Sequence, residues 1–345
     1  MLKVALGDLR HRTLGKHSVL MPLGIGCIAA YLKEAMGGRV EIRLYEDPEA
    51  IFSDIEAWQP DVLGLSNYMW NTELNRIVFS YAKKHCKDTT CVAGGPEFPI
   101  DRTECSEFLA GRDDIDFYAS LDGEVAFARL AEKIGDGIPC GELKKIPQEG
   151  FLSIHPESGA LVSGDCSRIK DVDSIPSPYL SGIMDPWFDG HYIPAIQTAR
   201  GCPFRCGYCR AGTSLYNKVH MFGLDRVRAE LAYIAERVSS LGTEELYVLD
   251  SNFGLFERDE RIAEYIGELQ EKYSWPNQIT ADPAKENHSR VMRMAEKMRH
   301  AMQPAYAVQT LNPKSLQAIT RKNLSKDEFE AAQLELQEHG IKPAT

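Results

Sequence analysis

Arg200-Gly201-Cys202-Pro203-Phe204-Arg205-Cys206-Gly207-Tyr208-Cys209 follows directly on a β-branched, apolar run at 193–198. The cysteines therefore stand at the carboxyl end of a predicted strand. Three thiolates spaced C-x3-C-x2-C can wrap one face of a cubane iron–sulfur cluster, and Gly201 and Gly207 allow the tight turns that this needs. Three ligands for four irons leave one iron open, able to bind the amino and carboxylate groups of a substrate. A structural zinc knuckle, a redox pair and unrelated thiols are the alternatives. Structural zinc takes four ligands, commonly through a second paired motif; no second C-x2-C occurs, although His191 and His220 could serve as a fourth ligand.

Outward from this segment, strands are predicted at 193–198, 245–249, 278–280 and 305–309, with helices near 225–240, 259–272, 287–300 and 326–339. Repeated strand-helix units of this length suit a (β/α) barrel, whose chemistry lies at the carboxyl ends of its strands. A fifth strand begins at Ile341 and the chain stops at Thr345, so the barrel over 193–345 reads as partial, incomplete at its C-terminus.

Toward the amino terminus, residues 136–192 carry several Pro and Gly residues and a hairpin signal at Glu157-Ser158-Gly159. Asp173-Ser174-Ile175-Pro176-Ser177-Pro178 cannot be helix interior, because each proline removes a donor and restrains its predecessor. This stretch is expected as a linker. Before it, residues 1–135 alternate short strands at 3–6, 40–45, 62–66, 91–93 and 116–119 with helices at 25–36, 71–85 and 124–134. The expected fold class is α/β: an open, doubly wound, Rossmann-like domain, then the barrel.

A net charge of -11 disfavours a nucleic-acid surface and makes small-molecule chemistry the better expectation. The first seven residues form one short apolar strand without a basic region or cleavage signal, so no signal peptide is expected. No apolar run is long enough to span a bilayer. An odd number of cysteines, nine, argues against a disulfide framework and for a cytoplasmic location. Cys27, Cys86, Cys91, Cys105, Cys140 and Cys166 have no ligand spacing and read as ordinary core or surface residues.

The cysteine triplet in its setting resembles the radical S-adenosylmethionine superfamily. The resemblance implies that Cys202, Cys206 and Cys209 hold a [4Fe-4S] cluster whose fourth iron chelates the methionine part of S-adenosylmethionine. Tyr208 matches the aromatic residue before the third cysteine, whose backbone contacts the adenine in that family. Asp250-Ser251-Asn252-Phe253 follows the second barrel strand; it lacks the family's Gly-Gly-Glu but is similar to a variant of one subgroup, which implies Asp250 and Asn252 as contacts to the cofactor's amino group. Asp250 could equally cap the next helix. Gln309, Thr310 and Arg321 correspond to polar residues near the ribose or carboxylate, or are ordinary strand-end polar residues.

The first domain is similar to the cobalamin-binding domain that precedes the barrel in one branch of the superfamily. The likeness rests on Met21-Pro22-Leu23-Gly24-Ile25-Gly26 and its helix, on Ser66 and Gly94-Gly95-Pro96 at strand ends, and on Asp122-Gly123-Glu124 opening the last helix. Ser66 is expected to hydrogen-bond a cobalamin tail, and Gly94 and Gly95 to let the backbone approach the corrinoid; the plain alternative is a generic doubly wound turn. Asp8-Leu9-Arg10-His11-Arg12-Thr13 departs from the Asp-x-His-x-x-Gly pattern, since the His comes one place late and the Gly is missing. No histidine ligand to cobalt is therefore expected, and His11 and His17 read as loop residues.

The resemblance implies a radical enzyme that reductively cleaves S-adenosylmethionine and methylates an unactivated carbon of a small-molecule substrate. A reducing donor such as flavodoxin or ferredoxin is implied as partner. Radical cyclisation or rearrangement without methyl transfer, and a non-catalytic corrinoid or iron–sulfur binding protein, are the alternatives.

Overall fold

Val4 and Leu6 bury on one face of a sheet while Ala5 buries on the other, the period-two pattern of a strand covered on both sides. The neighbouring strands repeat it: Val62 lies opposite Leu63 and Leu65, Val92 opposite Cys91 and Ala93, and Phe117 opposite Tyr118. In chain order these elements are β1 (Leu2–Gly7), α1 (Leu23–Met36), β2 (Val40–Tyr45), α2 (Pro48–Ala57), β3 (Val62–Ser66), α3 (Thr72–His85), β4 (Thr90–Gly94), α4 (Arg102–Ala110), β5 (Phe117–Ala119) and α5 (Glu124–Gly135). In the order β2-β1-β3-β4-β5 all strands run parallel, and the winding switches sides between β1 and β3. An open sheet of this kind takes ligands beyond its carboxyl ends at that point.

The computed structural model describes residues 1–11, 20–284, 286–303, 308–323 and 325–338. They divide into two compact units, one made of residues 1–11, 22–169 and 175–183, the other of 20–21, 170–174 and the chain from 184 onward. His17 lies outside the described residues. Among the described residues no helix is long and apolar enough to cross a membrane.

Two helices that periodicity did not single out start on acidic caps. Asp47 accepts from the Glu49 amide ahead of Pro48, and Asp101 accepts from the amides of Thr103 and Glu104. The stretch expected as a linker also contributes structure. It holds the short helix α6 (Cys140–Leu143) and two strands, β6 (Phe151–Ile154) and β7 (Leu161–Ser163), which extend the first sheet antiparallel beyond β5. Phe151 and Leu152 anchor β6 by burying on opposite faces of that sheet. Gly159, at φ +69°, makes the turn between the two strands, where the hairpin signal stood.

The second unit contains β8 (Ala195–Ile196), β9 (Ala199–Arg200), β10 (His220–Met221), α7 (Leu224–Val238), β11 (Glu245–Phe253), α8 (Arg258–Tyr273), β12 (Gln278–Pro283), α9 (His288–Lys297), α10 (Pro313–Ala318) and α11 (Lys326–Glu338). Strands β8, β11 and β12 form a parallel sheet with β11 in the middle. β8 is shorter than the expected 193–198, because the amides of Thr198 and Ala199 donate to the Asp250 carboxylate instead of to a neighbouring strand. Helix α9 stops before residue 300, where Arg299 and His300 take left-handed φ values of 51° and 59°. The strand expected at 305–309 falls largely on residues outside those described, with no strand at 308–309, and the one expected from 341 falls wholly outside them.

Candidate functional site

On β11 the inward side chains are Leu246, Val248, Asp250 and Asn252, so the buried face changes from apolar to polar toward the carboxyl end. Asp250 Oδ1 accepts from the Thr198 and Ala199 amides at 2.7 and 3.1 Å, and its other oxygen accepts from the Thr198 hydroxyl. Burial outweighs these donors and raises its pKa to about 6. Asp250 thus ties the end of β8 to β11 and fixes where the cysteine loop starts. It does not cap α8, whose first turn closes on Asp259, the acceptor for the Gly254 and Phe256 amides.

The loop beyond β9 is held by its own backbone. Cys202 donates to the Tyr216 carbonyl, Cys209 to Cys206, Gly212 to Cys209, and Gly207 to Ile319. Gly201 sits at φ +104°, and a Cβ there would lie 2.2 Å from the Lys218 carbonyl oxygen, so only glycine fits. Cys202 and Cys206 are buried and Cys209 is exposed. Among the described residues no three His, Cys, Asp or Glu side chains converge as the ligands of a single metal ion do. A cubane asks something different, one thiolate on each of three irons.

Three residues named from sequence meet in one network. Arg321 Nη1 donates to the Tyr208 hydroxyl, Arg321 Nε to Asn323 Oδ1 at 2.7 Å, and Asn323 Nδ2 to the Thr310 carbonyl at 2.7 Å. Gln309 stays exposed beside it. Asn252 Nδ2 lies 3.2 Å from Cys202 Sγ, while its Oδ1 is buried without a hydrogen-bond partner among the described residues. An unmet buried acceptor costs on the order of 1–3 kcal/mol, which a ligand's N–H would recover. The soft thiols, the tight loop and this orphaned oxygen fit an iron–sulfur cluster with a ligand at its open corner. A cavity of about 430 Å³ opens against Phe204, Arg205, Cys206, Glu286, Arg321 and Lys322, the size of a small-molecule site with charges of both signs.

In the first unit, the carboxyl edge of the sheet is tied by amides that sequence reasoning did not single out. Asn67, Asn71 and Asn75 recur every four residues where α3 begins. Asn71 donates to the Leu9 carbonyl at 3.2 Å, Asn75 to Ser66 at 2.8 Å, and Asn67 to Glu97 at 2.7 Å, joining the loops after β1, β3 and β4. Ser66 Oγ donates to Asp8 Oδ1 at 2.5 Å. Gly95, at φ +129°, meets the chain rather than an open space: a Cβ there would lie 2.5 Å from the Asn67 carbonyl oxygen. Gly94 packs on Ala119. Asp122 pairs with Arg168 and the Ile169 amide, each at 2.8 Å, rather than capping α5. Beyond β3, Met69 and Trp70 are 78% and 58% exposed, with the Trp70 indole stacked on Tyr68 at 4.5 Å.

Residues 17–131 match the family model of the B12 binding domain. The chain is 29% identical over 285 residues to the cobalamin-dependent radical SAM methyltransferase TokK of Streptomyces tokunonensis; the match covers 80% of this chain and 40% of that protein. In fold it is similar to the cobalamin-dependent S-adenosylmethionine radical enzyme OxsB, solved with aqua-cobalamin and S-adenosylmethionine, at a TM-score of 0.72 and 16% identity over 99% of this chain and 48% of that one. The radical S-adenosylmethionine methyltransferase TsrM of Kitasatospora setae, solved with cobalamin and a [4Fe-4S] cluster, gives a TM-score of 0.67 at 13% identity over 99% of this chain and 66% of that one. The chain thus spans 40% of the length of the curated relative TokK. These matches bear out the resemblance and the α/β fold class: a doubly wound domain of B12-binding type, within a chain similar in fold to cobalamin-dependent radical S-adenosylmethionine enzymes.

Proposed function

We propose, from the premise of a B12 binding domain ahead of a barrel that carries the cysteine triplet, that this chain acts as a cobalamin-dependent radical S-adenosylmethionine enzyme and methylates an unactivated carbon of a small molecule. One observation carries the reading. Cys202, Cys206 and Cys209 lie on a single hydrogen-bonded loop past β8, with the buried Asn252 amide against the first of them. The three thiolates hold a [4Fe-4S] cluster. S-adenosylmethionine is taken by Asn252, by Tyr208 and Arg321, and by Gln309 and Thr310 beside them, while Asp250 acts by anchoring Thr198 and Ala199 at the base of the loop. Ser66, Gly94 and Gly95 shape the edge that receives cobalamin, and the exposed Trp70 face adds an apolar wall.

When bound, the cluster supplies the electron that cleaves S-adenosylmethionine and the corrinoid carries the methyl group. The protein orients both and keeps water out. A flavodoxin or ferredoxin is the proposed electron donor, and the reducing cytoplasm the proposed location, which suits nine free thiols. The test is anaerobic reconstitution with iron, sulfide and hydroxocobalamin, followed by reduction in the presence of S-adenosylmethionine. A methylase yields 5'-deoxyadenosine together with S-adenosylhomocysteine. 5'-Deoxyadenosine alone points to cyclisation or rearrangement, and binding of both cofactors without either product points to a non-catalytic carrier.

A further inference from the structure

Asn252 closes the inward row of β11 at 8% exposure, next to the fully buried Phe253. Its amide nitrogen faces Cys202 Sγ at 3.2 Å. We propose that Asn252 is a positioning residue that donates a hydrogen bond to the Cys202 thiolate of the bound cluster and sets how readily that cluster accepts an electron. The proposal rests on the iron–sulfur reading of the triplet.

A thiolate sulfur accepts hydrogen bonds and does not donate them, so only the N–H end of the amide can face it. The backbone amides of Cys202, Gly207, Cys209 and Gly212 are committed to carbonyls, so none of these four is spent on the Cys202 sulfur. An N–H dipole aimed at a cluster sulfur stabilises the reduced form more than the oxidised one, because reduction adds negative charge to the sulfurs. Burial enlarges the effect by lowering the local dielectric. The orphaned Oδ1 completes the picture, since no donor among the described residues holds the amide from its other end.

The test uses the full chain, reconstituted anaerobically, with Asn252→Leu and Asn252→Asp beside the wild type. Leucine keeps the volume and removes the donor; aspartate keeps the shape and turns an oxygen toward the thiolate. Both variants should take up iron as the wild type does, because the three cysteines are intact. In an EPR-monitored redox titration, the ratio of reduced to oxidised cluster at a fixed potential should fall about tenfold for leucine, equal to about 59 mV for a one-electron couple. Aspartate should move it further. Equal midpoints in all three proteins overturn the proposal while leaving the cluster reading intact, whereas wild-type protein that binds no iron overturns both. A measurement free of any folding effect uses wild type with isotope-labelled asparagine side-chain amides: pulsed EPR of the reduced cluster should show a nitrogen coupling, and its absence rejects the contact.

Discussion

The carboxyl edges of the two units are held in opposite ways. In the first, neutral amides of Asn67, Asn71 and Asn75 donate to carbonyls, and Gly95 lets the chain after β4 press against Asn67. In the second, a buried acid, Asp250, gathers two amides and a hydroxyl. Neutral networks are indifferent to pH and sensitive to volume; a buried carboxylate is the reverse. Each edge therefore has its own way of failing.

The largest effect belongs to the cysteine loop. Cys206→Ala removes one of the three proposed ligands, and iron content, cluster absorption and release of 5'-deoxyadenosine should all be lost. A variant that keeps its cluster would falsify the ligand assignment. Next is Gly95→Ala. It adds a Cβ 2.5 Å from the Asn67 oxygen at a φ of +129°, and urea unfolding should show a loss of about 3 kcal/mol or more.

Asp250→Asn sharpens the contrast in pH. The Asp250 pKa is raised to about 6, so the folded state binds this proton more tightly than the unfolded chain does. Its contribution is complete below the ordinary carboxylate range and is lost as pH rises to about 6, by about 3 kcal/mol. Urea midpoints at pH 4 and pH 7 should differ less in Asp250→Asn than in wild type. An identical difference in both proteins would remove Asp250 from the account. The smallest structural effect is expected from Trp70→Ala. Stability should stay within about 0.5 kcal/mol, because the indole is 58% exposed, while hydroxocobalamin affinity drops about tenfold. Unchanged affinity would place the corrinoid away from this face.

Much of this was legible in the chain. Period-two alternation marks β1 to β5, and the strand expected at 245–249 is there but runs on to Phe253, so that Asp250 and Asn252 lie in the strand rather than after it. Helices α2 and α4 were within reach too, since Asp47-Pro48 and Asp101 are capping signals that periodicity alone passes over. The strands β6 and β7 were obscured because their Pro and Gly surroundings read as a connection, and an edge hairpin needs little apolar pattern of its own.

The spacing of Cys202, Cys206 and Cys209 and the alternation of strand and helix are local properties of the chain, and these the sequence carried by itself. What Asp250, Asn252 and Gly95 do was decided by tertiary structure. Asp250 reaches back across fifty-two residues to Thr198, Asn252 across fifty to Cys202, and Gly95 makes room for Asn67. A polar residue at a strand end can cap, bind or anchor with equal ease, and only the neighbour that folding brings within about 3 Å selects among these roles.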